Sequence, residues 1–100
     1  MADVLGDEFV ATVWRYDGTA AWYFLTLPQD LADDIRSRVE HVGFGSVRVR
    51  ARIGATSWST SVFPDAGSGS FVLPLKAAVR RAEGLDPGVE AQVHLEVVVD

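Results

Sequence analysis

The sequence predicts a mainly β domain of six strands with two short helices. Three observations carry this expectation. Runs of β-branched and aromatic residues alternate with period two, Asp-Gly and Asp-Pro-Gly turn signals separate them, and a Leu-Pro step twice hands a strand to a helical pattern. The 100 residues are expected to form one domain, 1–100, which buries about two thirds of its unfolded surface in a single core. With 48% hydrophobic and 23% charged residues the chain lies in the globular class. Residues 1–7 are expected to be flexible.

The first hairpin comes from residues 8–16 (EFVATVWRY) and 20–27 (AAWYFLTL) around Asp17-Gly18, a two-residue turn signal. Its first strand carries Phe9, Ala11 and Val13 on one face and Val10 and Trp14 on the other. Apolar residues on both faces predict burial on both sides, in a closed barrel or under a covering layer. Pro28 then opens a helix over residues 29–41. Leu31, Ile35 and Val39 recur every fourth residue, Asp30 is the expected N-cap, Asp33 and Asp34 precede Arg36 and Arg38, and Gly43-Phe44-Gly45 ends it.

Residues 46–53 alternate without a slip, Val47, Val49, Ala51 and Ile53 against Arg48, Arg50 and Arg52. Gly54-Ala55 turns the chain into 57–63, with Trp58, Thr60 and Val62 on one face. A short strand follows at 70–73, then a helix over 75–82 ended by Gly84, then the Asp86-Pro87-Gly88 turn. The last strand, 89–99, sets Ala91, Val93, Leu95, Val97 and Val99 against Glu90, Gln92, His94 and Glu96. At Pro28 and Pro74 the ring fixes φ for helix entry and removes an N–H that a first turn leaves unpaired. This repeat of strands, Leu-Pro and helix suggests a pseudo-twofold arrangement, against which stands Leu-Pro as simply a common strand-to-helix joint.

Composition narrows the function classes. Without cysteine there are no disulfides, thiolate nucleophiles or common zinc clusters, and a reducing cytoplasm is the expected compartment. The opening MADVLGDEF has neither a basic region nor an apolar run, so no signal peptide is expected, and no window reaches the length of a membrane span. A net charge of −5 repels nucleic acid on average, and none is expected as the main partner. His41 at the predicted helix end is read as a cap and His94 as a solvated strand residue. Neither shares a metal-ligand spacing with an acid, so no metal and no cofactor are expected.

The stretch FPDAGSGSFVLP, 63–74, invites a comparison with phosphate-binding loops. Those place their glycines between a strand and a helix, whereas here the glycines lie between two strand-like runs. A flexible β–β connection built on Pro64, Asp65 and Gly67 is the better reading.

Trp22-x-Phe24 running into Leu27-Pro28, the 47–54 run VRVRARIG with Trp58-x-Thr60-Ser61-Val62-Phe63-Pro64, Phe71-x-Leu73-Pro74-Leu75-Lys76 with Ala78-Val79-Arg80 and Gly84, and Gly88 before the last strand resemble the small bacterial family called domain of unknown function 1905. The resemblance covers about residues 9–98. It implies a closed six-stranded double-split β-barrel, distantly similar to the swapped-hairpin transcription factors, and it implies no established reaction. It also implies a partner: members are often followed by a domain similar to the YdeI/OmpD-associated proteins, so a protein carrying such a domain is an expected partner. Where the family has Gly-Asp before the last strand, this chain has Gly88-Val89.

Two functional readings follow. In the first, a monomeric, non-enzymatic barrel binds a small aromatic or anionic molecule at its mouth through Trp22, Arg50, Trp58 and Thr60. In the second, the Arg48, Arg50 and Arg52 stripe serves a protein-interaction or DNA-binding module. Against the second stands a solvated arginine face paired with Glu90 and Glu96 on a neighbouring strand. Against the first stands aromatic packing of Trp14, Trp22, Tyr23 and Trp58 in the core. The alternating Ser57, Ser59 and Ser61 lack a nucleophile elbow or an identifiable base, so catalysis is not expected.

Overall fold

A computed structural model describes residues 5–18, 21–38 and 45–98 of the chain. Seven strands, β1 (Leu5–Thr12), β2 (Trp14–Arg15), β3 (Tyr23–Thr26), β4 (Val47–Ile53), β5 (Thr56–Asp65), β6 (Ser70–Pro74) and β7 (Glu90–Val97), accompany two helices, α1 (Gln29–Arg38) and α2 (Ala77–Glu83). The strands form one antiparallel sheet in the order β1-β7-β4-β5-β6-β3-β2, curled into a half-barrel. Seven strands replace the six expected because the first long strand is divided at Val13. That residue donates its N–H to Val89 O (2.9 Å) and accepts from Gly88 N–H (2.8 Å). Its bonds to the 88–89 turn replace the strand ladder at the point where the chain leaves β7 and reaches β3.

The alternation of β4 and β7 translates directly into burial. Val47, Val49, Ala51 and Ile53 face the core together with Ala91, Val93, Leu95 and Val97, and Arg48, Arg50 and Arg52 are exposed. One register slip would reverse both faces, so the pattern fixes the pairing Val49↔Val97 through Ile53↔Val93. Leu25, Leu27, Leu31, Ile35, Val62, Phe71, Leu73 and Val79 complete the core, each buried side chain of this size contributing about 1.5–3 kcal/mol. The expectation that the first strand is buried on both faces fails: Phe9 and Val13 are inside, but Val10 is 58% exposed, because no layer among the described residues covers the outer face of β1 there.

Several boundaries differ from expectation for local reasons. The Asp17-Gly18 signal does not make a two-residue hairpin: the register pairs Arg15 with Tyr23, and Tyr16 N–H bonds Trp22 O (2.8 Å), the last ladder bond among the described residues. Asp30 sits inside the first turn of α1, accepting Leu31 N–H at 3.0 Å, and Pro28 O receives the first helical bond, from Ala32 N–H. The predicted end of this helix, with Val39, His41 and Gly43-Phe44, lies outside the described residues, as does Val99. The second helix begins at Ala77 and not at Leu75, since Leu75 N–H is committed to Tyr23 O (2.9 Å) and Lys76 is extended.

The two Leu-Pro joints face each other across the β3–β6 pair. Leu25 stands opposite Leu73, and Leu27 N–H to Phe71 O is matched by Leu75 N–H to Tyr23 O, both 2.9 Å. Between β5 and β6 the glycine stretch is a hairpin turn. Gly69, at φ +71, closes it with an N–H bond to Asp65 O. This β–β connection is tied to α1 through Gln29 and Arg36, which both donate to Gly69 O, and the buried Ser70 hydroxyl donates to Leu27 O at 2.8 Å, just before that helix.

Candidate functional site

A pocket of about 320 Å³ opens where the start of β3, the middle of β5 and the β6–α2 joint meet. Its wall includes Trp22 and Tyr23 from the β3 side, Trp58, Ser59 and Thr60 from β5, and Lys76 and Arg80 from the start of α2. Each arrives there for a local reason. Trp58 sits opposite Ala51 on the inward face of β5, where the small alanine leaves room for an indole. Leu75 and Val79 are buried and anchor α2. Lys76 and Arg80 are one turn apart, so they share a neighbouring stripe.

The electrostatics of this pocket run opposite to those of the chain. Two cationic residues and three that carry hydroxyls, Tyr23, Ser59 and Thr60, line it with no aspartate, glutamate or histidine among its described lining residues, although the protein as a whole carries −5. Arg80 is held tightly. Its guanidinium carbon lies 3.6 Å from the centre of the Tyr23 ring, a cation–π contact of about 1–2 kcal/mol when partly desolvated. Its Nε is buried without a hydrogen-bond partner, and its side chain makes no ion pair among the described residues.

Trp22, Trp58 and Thr60, three of the four residues expected at a binding site, therefore line one pocket. Arg50 does not line it. Strict alternation along β4 turns Ala51 inward and Arg50 outward, so Arg50 borders a depression on the outer face and not this pocket. Trp22 is 54% exposed and stacks on Phe24 at 6.2 Å, with Trp14 next in the row at 5.1 Å from Phe24. It contributes a rim, whereas Trp58 is nearly enclosed. The sequence offers Tyr23 among the aromatics that could line a pocket, though not as a platform for Arg80, and Lys76 and Arg80 were not among its candidates. The available signal was their four-residue spacing beside the buried Leu75 and Val79 pair.

The arginine stripe lies on the outer face. Arg48, Arg50 and Arg52 stand opposite Ser61, Ser59 and Ser57 on β5, and Arg50 and Arg52 stand opposite Glu96 and His94 on β7. The expected pairing with Glu90 fails because the β4–β7 ladder ends at Ile53↔Val93, and Arg50 forms no ion pair with Glu96 among the described residues. Arg50 and Arg52 border a shallow depression of about 670 Å³ with Asp7, Glu8, His94 and Glu96. Charges of both signs alternate there, so its net field is small. His94 is partly exposed, as expected for a solvated strand residue, and also meets Glu8, Nε2 to Oε1 at 2.8 Å across the β1–β7 ladder.

No group of three or more potential metal ligands occurs among the described residues. No helix among them is long and apolar enough to cross a membrane. A family model described as Domain of unknown function (DUF1905) matches residues 9–95. No curated protein matches the chain.

Proposed function

This chain belongs to the DUF1905 family, and from the chemistry of its pocket we propose that it binds a small flat molecule, aromatic or anionic, without transforming it. The observation that carries the reading is the meeting of Tyr23, Trp58, Lys76 and Arg80 around a cavity with no carboxylate or imidazole among its described lining residues. Aromatic walls with a few converging polar groups are the usual make-up of a ligand site. Ser59 and Thr60 have no carboxylate or imidazole base beside them among the described lining residues. We read the curled sheet as a six-stranded barrel closed at Val13, with β1 and β2 as halves of one strand. The single residue between them and its two bonds to the 88–89 turn support that reading. The pocket then lies at the barrel's open end, beside α2.

Thermal unfolding against a panel of metabolites and aromatic compounds tests this. A ligand at a hundred times its dissociation constant adds about 2.7 kcal/mol, and each kcal/mol moves the midpoint of a domain this size by roughly 4–8 °C. A shift that Ala77→Phe abolishes, by filling a lining position, supports the pocket.

The second reading, a nucleic-acid contact through Arg48, Arg50 and Arg52, is favoured by one observation: all three are exposed and free of ion pairs among the described residues. Salt-sensitive binding of short duplex DNA that Arg50→Ala weakens would support it over the pocket. Silence of both arms points to a protein partner, sought by pull-down.

A further inference from the structure

Building on the pocket reading, we infer that the ligand is an aromatic carboxylate, its carboxylate held by the terminal amino groups of Arg80 and its ring against the wall formed by Tyr23 and Trp58. Four observations lead there. The first is charge. Lys76 and Arg80 line the pocket without a carboxylate among its described lining residues, so the site lacks an internal counterion and a ligand anion supplies it.

The second is preorganisation. One face of the Arg80 guanidinium is covered by Tyr23 at 3.6 Å, and Nε is buried. These contacts fix the plane of the fork before any ligand arrives, and neither terminal amino group has a hydrogen-bond partner among the described residues. A planar fork of fixed orientation matches a planar carboxylate, two parallel N–H···O bonds at once. A lysine at this position would offer only a mobile point charge.

The third is what the pocket lacks. Phosphate sites gather several backbone N–H groups from glycine-rich turns. The glycine-rich turn of this chain lies elsewhere, and its Gly69 carbonyl is taken by Gln29 and Arg36 of α1. The fourth is size. About 320 Å³ is at the lower end of ligand pockets, which span roughly 300–1,000 Å³, and suits one or two fused rings.

The test is calorimetric titration of the whole chain with matched pairs: benzoate and benzamide, 2-naphthoate and 2-naphthamide, and phenyl phosphate beside them. Wild type, Arg80→Lys and Lys76→Ala are compared, each checked for a native near-UV spectrum. At least one carboxylate binds tenfold or more tightly than its amide, Arg80→Lys loses that preference while retaining the amide's weaker binding, and Lys76→Ala loses less than Arg80→Lys. Equal affinity of acid and amide, or a carboxylate affinity unchanged in Arg80→Lys, overturns the carboxylate assignment and leaves the pocket reading standing. Tighter binding of phenyl phosphate than of either acid also overturns it. Failure of all five compounds to bind overturns the pocket reading together with the assignment.

Discussion

The guanidinium of Arg80 rests on the ring of Tyr23, carbon to centroid 3.6 Å, and this contact joins α2 to β3 at the wall of the pocket. Removing the ring should therefore be felt in stability before any ligand is added. Tyr23→Leu is expected to cost about 2 kcal/mol, the cation–π term plus lost ring contacts, whereas Tyr23→Phe, which keeps the platform, should cost under about 1 kcal/mol. Equal losses for the two variants in thermal unfolding would show that the hydroxyl, and not the ring face, matters.

Ser70 is the buried polar side chain of the described core, 2% exposed, and its hydroxyl donates to Leu27 O at 2.8 Å. Ser70→Ala leaves that carbonyl with one partner fewer, at a cost of about 1–2 kcal/mol. A midpoint lowered by several degrees is the expected outcome. An unchanged midpoint would mean that the carbonyl is satisfied without it.

Gly54 and Gly84 have similar positive φ, +58 and +64, but a Cβ on Gly54 would run into Glu83 Oε1, whereas on Gly84 it would meet nothing within 4 Å. Both alanine variants suffer the left-handed backbone penalty of about 1 kcal/mol. Gly54→Ala must also displace the carboxylate that accepts from the Thr56 hydroxyl at 2.7 Å, and should cost about 1 kcal/mol more. In a Glu83→Ala background the difference between the two glycines should vanish.

Arg50 and Arg52 are exposed and make no ion pair among the described residues. Arg50→Ala and Arg52→Ala should each change stability by less than about 0.5 kcal/mol. A loss above 1 kcal/mol in chemical denaturation would reveal a cross-strand attraction with Glu96 that the geometry does not show.

Period-two alternation was the most legible signal in this chain. It placed β4 and β7 to within a residue or two and assigned every inward side chain of both strands correctly, since a half-buried strand has no freedom to misplace its apolar face. Trp58 and Thr60 fall on the inward side of β5 for the same reason. Arg50 falls on the outward face of β4, apart from them, by the same alternation. The anchoring of Arg80 was not legible, because it depends on the non-local contact that brings Tyr23 under α2. The division of the first strand at Val13 was hidden similarly: its bonding partners, Gly88 and Val89, are distant in sequence.

The central claim is that the pocket beside α2, and not the arginine face, is where this protein meets its ligand. Amide chemical-shift mapping of the ¹⁵N-labelled chain, titrated with the tightest-binding aromatic carboxylate, tests it most directly. Binding in this pocket gives the largest shifts at Tyr23, Trp58, Thr60, Lys76 and Arg80, with β4 and β7 little changed. Shifts centred instead on Arg48, Arg50, Arg52 and their neighbours on β7 would contradict it.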